Sequence, residues 1–183
     1  MTEAADRALV SVATAYRYFP SAEDLWWEAS AAAIEPQRWA AVDELVEDAG
    51  SDSGARLEAL IRLVNFPMLD DQVPYRRLAK AALEQRFAQA ESPQGALAPV
   101  REGRRNARIA KVVEPLRDRL DEGDVDRVAH ALGVVVGTDV MIALTDGVRL
   151  DVSEAKETML DAGRWLLAGA LAELEHAAAP ARG

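Results

Sequence analysis

The sequence predicts an all-α fold. Half of its 183 residues are apolar, but only 5% are aromatic. Alanine is abundant and only eight prolines interrupt the chain, a composition that favours helices. Apolar residues also recur at helical spacing between breaks that contain glycine and proline. A chain of this length can bury a sizeable core, as one domain or as a small domain attached to a larger one.

The composition also excludes several classes of function. The chain has no cysteine, so disulfides, thiolate metal sites and cysteine nucleophiles are excluded. Its net charge of −10 argues against unspecific nucleic-acid binding, because an acidic body repels phosphate at long range. No segment resembles a signal peptide, and no uncharged stretch approaches the roughly 18 residues of a membrane span. We therefore expect a soluble cytoplasmic protein with no membrane contact, cofactor or metal.

Two short helices and a break are predicted at the start of the chain. Residues 2–8 fit a short helix, and Ser11 can cap a second helix with its hydroxyl. Pro20 stops that second helix, because proline lacks the backbone N–H that a helix needs. Ser21 and Asp24 then form a capping-box-like pair that opens a longer helix.

The remaining breaks divide the chain into further helices. Gly50 and Gly54 bound a loop, and Pro67 is expected to end the helix that follows it. The predicted helices are 21–47, kinked or divided at Pro36, then 55–66, 74–90, 99–120, 124–146 and 153–177.

Two of these helices carry charges that need an explanation. The 99–120 helix has a basic stripe at helical spacing, which either grips an acidic ligand or nucleic acid, or is a solvated face that pairs with acids. We favour the solvated face. Asp139 lies inside the apolar run of the 124–146 helix, so it is expected to face a groove or to meet an arginine. The stripe consists of Arg101, Arg104, Arg105 and Arg108.

The second short helix resembles the recognition helix of the TetR family of one-component bacterial transcriptional regulators. The family pattern is V-S-x-x-T-x-Y-x-Y-F, followed by a short polar link into a long helix. The matching residues are Val10, Ser11, Thr14, Tyr16, Tyr18 and Phe19. The resemblance implies a partial helix-turn-helix DNA-binding domain with its connecting helix over 1–47, and an effector-binding and dimerisation domain over 48–183.

The resemblance also implies partners and contact residues. Operator DNA would be contacted at base edges by Val12, Ala13 and Thr14. Phosphates would be contacted by Ser11, Tyr16, Arg17, Tyr18 and the helix start at Ser21. The family forms homodimers through its last two long helices, which correspond to 124–146 and 153–177 here. Leu9 stands where the family usually has glycine, because such a corner often needs positive φ, so we expect the corner to be either strained or differently shaped.

A small, apolar effector is the third implied partner. It would bind among the helices of the body, and candidate residues are the large apolar and polar side chains of those helices. For Trp39, packing in the core or at the domain junction is favoured over a ligand site. For His130 the alternative is a structural group whose hydrogen bonds are satisfied. The candidate pocket residues are Trp39, Phe66, Met68, Phe87, His130 and Asp139.

A second function remains open. Family members have a full amphipathic helix ahead of the residues that match Thr2 to Ala8, and the sequence begins after that point. Either the natural start lies upstream of Met1, or the protein is a DNA-incompetent dimeric effector-binding or interaction protein derived from such a regulator. An enzyme is not expected, because no catalytic motif is present and His130 and His176 have no nucleophile nearby in sequence.

Overall fold

The computed structural model describes residues 1–19, Ala22, Leu25, 36–90 and 104–178. Every regular element in these residues is helical, so the prediction of an all-α fold is confirmed. The predicted features in 20–35 and 91–103, including Ser21 and Asp24, otherwise lie outside the described residues. The elements are α1 (Thr2–Arg7), α2 (Val12–Tyr18), α3 (Pro36–Asp48), α4 (Ser53–Asp70), α5 (Gln72–Ala90), α6 (Arg104–Val113), a 3₁₀-helix (Glu114–Asp118), α7 (Glu122–Leu132), α8 (Thr138–Ile142), a π-helix (Ala143–Val148) and α9 (Val152–Ala178).

The turn between α1 and α2 is formed as the sequence predicts. Ser11 caps α2, because its Oγ accepts a hydrogen bond from the backbone N–H of Thr14 at 3.0 Å. Ala5 of α1 and Ala15 of α2 are both buried. Between the two helices Leu9 adopts φ 55°, the left-handed conformation expected where a glycine is usual. Its side chain is 92% exposed, so no packing offsets that strain.

Helix α4 is the centre of the C-terminal bundle and packs against α3, α6, α8 and α9. Its inner face is buried through Leu57, Leu60, Ile61 and Val64. Helix α9 approaches it closely at Gly163, where a Cβ atom would lie 2.7 Å from Cδ1 of Ile61. A side chain at that position would therefore separate the two helices.

The prediction that Pro67 ends its helix is wrong. Helix α4 continues through Pro67 to Asp70, and the backbone N–H of Asp71 donates to the Pro67 carbonyl at 3.1 Å. A proline inside a helix costs about 3 kcal/mol. Met68 and Leu69 beyond it are buried in the core, and this burial offsets that cost.

The predicted 124–146 helix is also wrong as a single element. Helix α7 ends at Leu132, and Gly133 to Gly137 form a break before the short α8 and the π-helix. Gly137 has φ 116°, a conformation that favours glycine. The buried side chain of Asn65 holds this break, because its amide nitrogen donates to the Val135 carbonyl at 2.8 Å and its oxygen accepts from the Gly137 N–H at 3.0 Å.

The predicted 99–120 helix is shorter in its described part. Helix α6 gives way to a 3₁₀-helix at Glu114, next to Pro115. Proline cannot donate to the carbonyl four residues earlier, which belongs to Lys111. That carbonyl instead accepts a hydrogen bond from Nη1 of Arg56 at 2.7 Å.

The described helices include no candidate for a membrane-spanning segment. None of them combines the length and the apolar character that crossing a bilayer requires.

We expect Leu9→Gly to stabilise the α1–α2 turn, because glycine removes the strain of a left-handed leucine, which is about 1 kcal/mol. Native-state hydrogen exchange of the Val10 amide, which donates to the Ala5 carbonyl, should slow by up to about fivefold. Ala8→Gly is the matched control, because Ala8 has an ordinary φ of −82° and gains nothing. Faster exchange in Leu9→Gly would contradict the assignment of strain.

Asn65→Leu should destabilise the bundle by about 2–4 kcal/mol, because it leaves the Val135 carbonyl and the Gly137 N–H buried without partners. The urea midpoint of unfolding measures this change. Asn106→Leu is the control, since Asn106 is exposed and should change stability by less than about 0.5 kcal/mol. Equal midpoints for the two variants would show that Asn65 does not hold the helix break.

Candidate functional site

The outer surface of α2 is the first candidate site. Ala15 is buried, and side chains rotate by about 100° per residue along a helix. Ala13 and Arg17 therefore lie opposite the buried face, with exposed Tyr16 beside them. The described residues of the predicted DNA-binding set are exposed, apart from Thr14, which is half-buried. Val12 and Tyr18 are also exposed, and they flank the buried face on either side.

The polar groups of this surface have defined partners. Ser11 Oγ lies 2.8 Å from Thr14 Oγ1, so these two hydroxyls share a hydrogen bond. The guanidinium of Arg17 lies 5.2 Å from the ring centroid of Tyr18, at the distance of a cation–π contact. In α1, Arg7 forms an ion pair with Glu3 at 2.9 Å. The side-chain charges of residues 1–19 sum to zero, so the electrostatic attraction of this surface for DNA is weak.

A groove between α6 and the α7–α8 segment is the second candidate site. Its volume is about 770 Å³, and its floor consists mainly of alanine, valine, isoleucine and glycine. Small residues on both walls leave the space that the groove occupies. The lining residues are Arg105, Asn106, Ile109, Ala110, Val113, Arg117, Asp126, Ala129, His130, Gly133, Val134, Val136, Asp139, Val140 and Ala143.

An arginine stands near each end of α6 in this groove. Arg105 lies 3.5 Å from Asp139, and Arg117 lies 3.0 Å from Glu122. Asp139 therefore faces a groove and also meets an arginine, so both predicted alternatives hold. Its side chain is 75% exposed rather than buried, because α8 is short and turns it outward after the helix break. His130 lines the same groove.

The other predicted pocket residues lie elsewhere. Phe66 is half-buried on α4, where Lys156 lies over its ring at 5.1 Å. Met68 is buried in the core, and Phe87 on α5 is 68% exposed. Trp39 belongs to α3, and its side chain lies outside the described residues. Of the predicted set, His130 and Asp139 are the two that the structure places in one cavity.

The interpretation favoured for the basic stripe holds for its pairing with acids, since Arg105 and Arg108 both meet aspartates, but is wrong about solvation at Arg108. Arg108 is only 6% exposed, and its Nε lies 3.1 Å from the Asp43 carboxylate of α3. The burial follows from the packing of α6 against α3 and α4. Arg105 remains exposed, whereas Arg101 and the side chain of Arg104 lie outside the described residues.

A second ion pair joins α6 to α3. Lys111 hydrogen-bonds Glu47, and its charge and hydrogen bond lower the pKa of the Glu47 carboxyl. The same hydrogen bond raises the pKa of Lys111. Both groups are therefore charged at neutral pH, and α6 is tied to α3 on one face while its other face lines the groove.

Three residues of the structure escaped the sequence reasoning. Asn65 has a visible signal, since it is a lone polar residue beside the apolar positions Ile61, Val64 and Met68 of one helix. Arg117 has no comparable signal, because its place in the groove depends on the turn between α6 and α7. Gly163 likewise owes its role to the approach of α9 to α4.

Comparison with known proteins does not assign a function to either surface. No protein-family model, curated protein or solved structure matches the chain. The function of each surface is therefore inferred from its residues and their arrangement.

Proposed function

We propose that this chain is a ligand-responsive transcriptional regulator of the TetR type, most simply a repressor, that binds operator DNA as a homodimer. The observation that carries the proposal is the geometry of α1 and α2. Two short helices meet at a tight turn with Leu9 in the left-handed conformation, and buried alanines pack between them. A second helix held in this way with its outer face free is the arrangement of a DNA-reading helix-turn-helix.

The side chains of α2 suit the two kinds of DNA contact. Val12, Ala13 and Thr14 stand in the first turns, the part of a recognition helix that meets base edges. Tyr16, Arg17 and Tyr18 supply phenol and guanidinium groups that bind phosphate oxygens, and Ser11 adds a hydroxyl. The exposure of Tyr16 and Tyr18, at 48% and 68%, supports this role, because core tyrosines would be buried.

The groove supports the binding of a small, apolar effector. Its volume of about 770 Å³ lies within the usual range for small-molecule sites, which is roughly 300–1,000 Å³. Its apolar floor would bury the body of such a molecule. Arg105, Arg117 and His130 would fix the orientation of polar groups at its ends.

Helix α6 supplies a route from effector to DNA. Its groove face would be displaced by a bound molecule, and its opposite face carries the ion pairs from Arg108 to Asp43 and from Lys111 to Glu47. Both acids belong to α3, which lies in sequence between the proposed DNA-reading helices and the rest of the bundle. An effector that prefers one position of α6 thus shifts the population of α3 positions and the separation of the two recognition helices.

Homodimer formation is supported by the outer face of α9. Trp165 is 71% exposed, and Ala168, Gly169 and Ala172 continue the same exposed stripe at helical spacing. A two-fold pairing that covers this stripe and the neighbouring α7 would bury the tryptophan. It would also place the two copies of α2 so that they could enter successive major grooves, which are about 34 Å apart.

A DNA-incompetent effector-binding dimer is the second candidate. The observation that favours it is the weak positive charge of α1 and α2, where Arg7 is already paired with Glu3. A protein that binds a ligand in the groove but no duplex would support this second function over the first.

Replacement of Tyr16 by alanine should weaken operator binding by about 30-fold, because an exposed tyrosine at a DNA interface is a typical hot-spot residue. Fluorescence anisotropy with duplexes selected from a random pool measures the dissociation constant. Val148→Ala, at an exposed apolar site in the π-helix, is the control and should leave binding unchanged. Unchanged affinity of Tyr16→Ala would remove α2 from the DNA interface.

Ala110→Trp should abolish most binding of the fluorescent probe anilinonaphthalene sulfonate, an apolar molecule with an anionic group. The new side chain would fill the groove, so we expect a dissociation constant at least about tenfold higher. Ala107→Trp is the matched control, because Ala107 is exposed on the same helix and does not line the groove. Equal probe binding by the two variants would place the effector elsewhere.

A further inference from the structure

The outer surface of α2 offers few groups that can hydrogen-bond a base. Ser11 Oγ accepts from the Thr14 N–H and shares a second hydrogen bond with Thr14 Oγ1. One of the two hydroxyl protons is used in this pair, and Thr14 is half-buried beside the face that meets α1. The side chains that remain exposed between them are those of Val12 and Ala13, which carry only methyl groups.

The stronger hydrogen-bonding groups of α2 lie in its last turn. Arg17 is drawn toward the Tyr18 ring, at 5.2 Å from its centroid, and both side chains are exposed. A recognition helix meets base edges with its first residues, so groups one turn later are placed for the phosphate backbone. Phosphate contacts position the protein but carry no sequence information directly.

The major groove presents one apolar group to such a surface. This group is the C5-methyl of thymine, which alanine and other apolar side chains contact directly. Cytosine has only a hydrogen at the position of that methyl group, and the donors and acceptors of guanine, cytosine and adenine cannot be satisfied by Val12 and Ala13. The small side chain of Ala13 lies opposite the buried Ala15, so it also lets the helix backbone come close to the groove floor.

From this geometry we propose that the chain reads thymine methyl groups through Val12 and Ala13, so that A·T pairs are the main sequence signal in each half of its operator. The inference rests on the proposed function and specifies which duplexes the same surface recognises. Contacts from Tyr16, Arg17 and Tyr18 add affinity for any sequence.

The test replaces thymine by deoxyuridine, which removes the methyl group and leaves every hydrogen-bonding atom of the pair in place. The full chain is used to select sites from a random duplex pool, and each thymine of the enriched half-site is then replaced in turn. We expect the dissociation constant to rise by about fourfold for each contacted methyl group that is lost.

A double-mutant cycle assigns the effect to the protein side. Val12→Ala removes two methyl groups and favours the helix, so the variant should fold. It should bind with equal affinity to the thymine and deoxyuridine duplexes at one position. Tyr18→Phe is the matched control, because it removes only a hydroxyl and should weaken binding to both duplexes by the same factor.

The outcomes separate this inference from the function on which it rests. Selected sites that are insensitive to deoxyuridine at every thymine would overturn methyl recognition and leave the regulator proposal standing. Full sensitivity of Val12→Ala at every thymine would also overturn it, because the methyl groups would then have another partner. Absence of binding to every duplex would overturn the regulator function, and the inference with it.

Discussion

The buried amide of Asn65 is the interaction on which the C-terminal bundle depends. Its amide nitrogen donates to the Val135 carbonyl and its oxygen accepts from the Gly137 N–H, so it replaces helical hydrogen bonds that the break between α7 and α8 removes. The same nitrogen lies 3.3 Å from Sδ of Met159, which brings α9 to this point. Without the amide, both backbone groups would be buried and unpaired, and a continuous helix would be favoured.

The break held by Asn65 also creates the groove. Gly133, Val134 and Val136 belong to it and form part of the groove wall opposite α6. On the far side of α6, the buried Arg108 pairs with the half-buried Asp43, so this ion pair is largely shielded from water. Helix α6 thus lines the apolar groove with one face and forms an ion pair with α3 on the other. In the proposed mechanism, a displacement of α6 that begins in the groove would reach α3 through this ion pair.

Local interactions account for what the sequence predicted correctly. The all-α class follows from composition and spacing, and the Ser11 cap and positive φ at Leu9 depend on residues within three or four positions of each other. The predictions that Pro67 ends its helix and that 124–146 is one helix were wrong, because packing against residues distant in sequence determines both elements. Burial of Met68 and Leu69 outweighed a proline, and an asparagine some seventy residues away in sequence broke a helix. The groove could be predicted only as far as His130 and Asp139, since its other wall is set by how α6 packs.

Under the proposed function, this acidic chain must obtain its selectivity for DNA from something other than charge. With side-chain charges that cancel over residues 1–19 and a net charge of −10, this chain has little of the electrostatic term that supports binding to any sequence. Apolar contacts with thymine methyl groups do not depend on counterion release. A weak electrostatic contribution would therefore lower the affinity for unspecific DNA more than the affinity for the operator. Selectivity is the ratio of these two affinities. The proposed recognition helix, nearly neutral on an acidic body, would consequently be suited to discrimination between duplexes when two copies bind together.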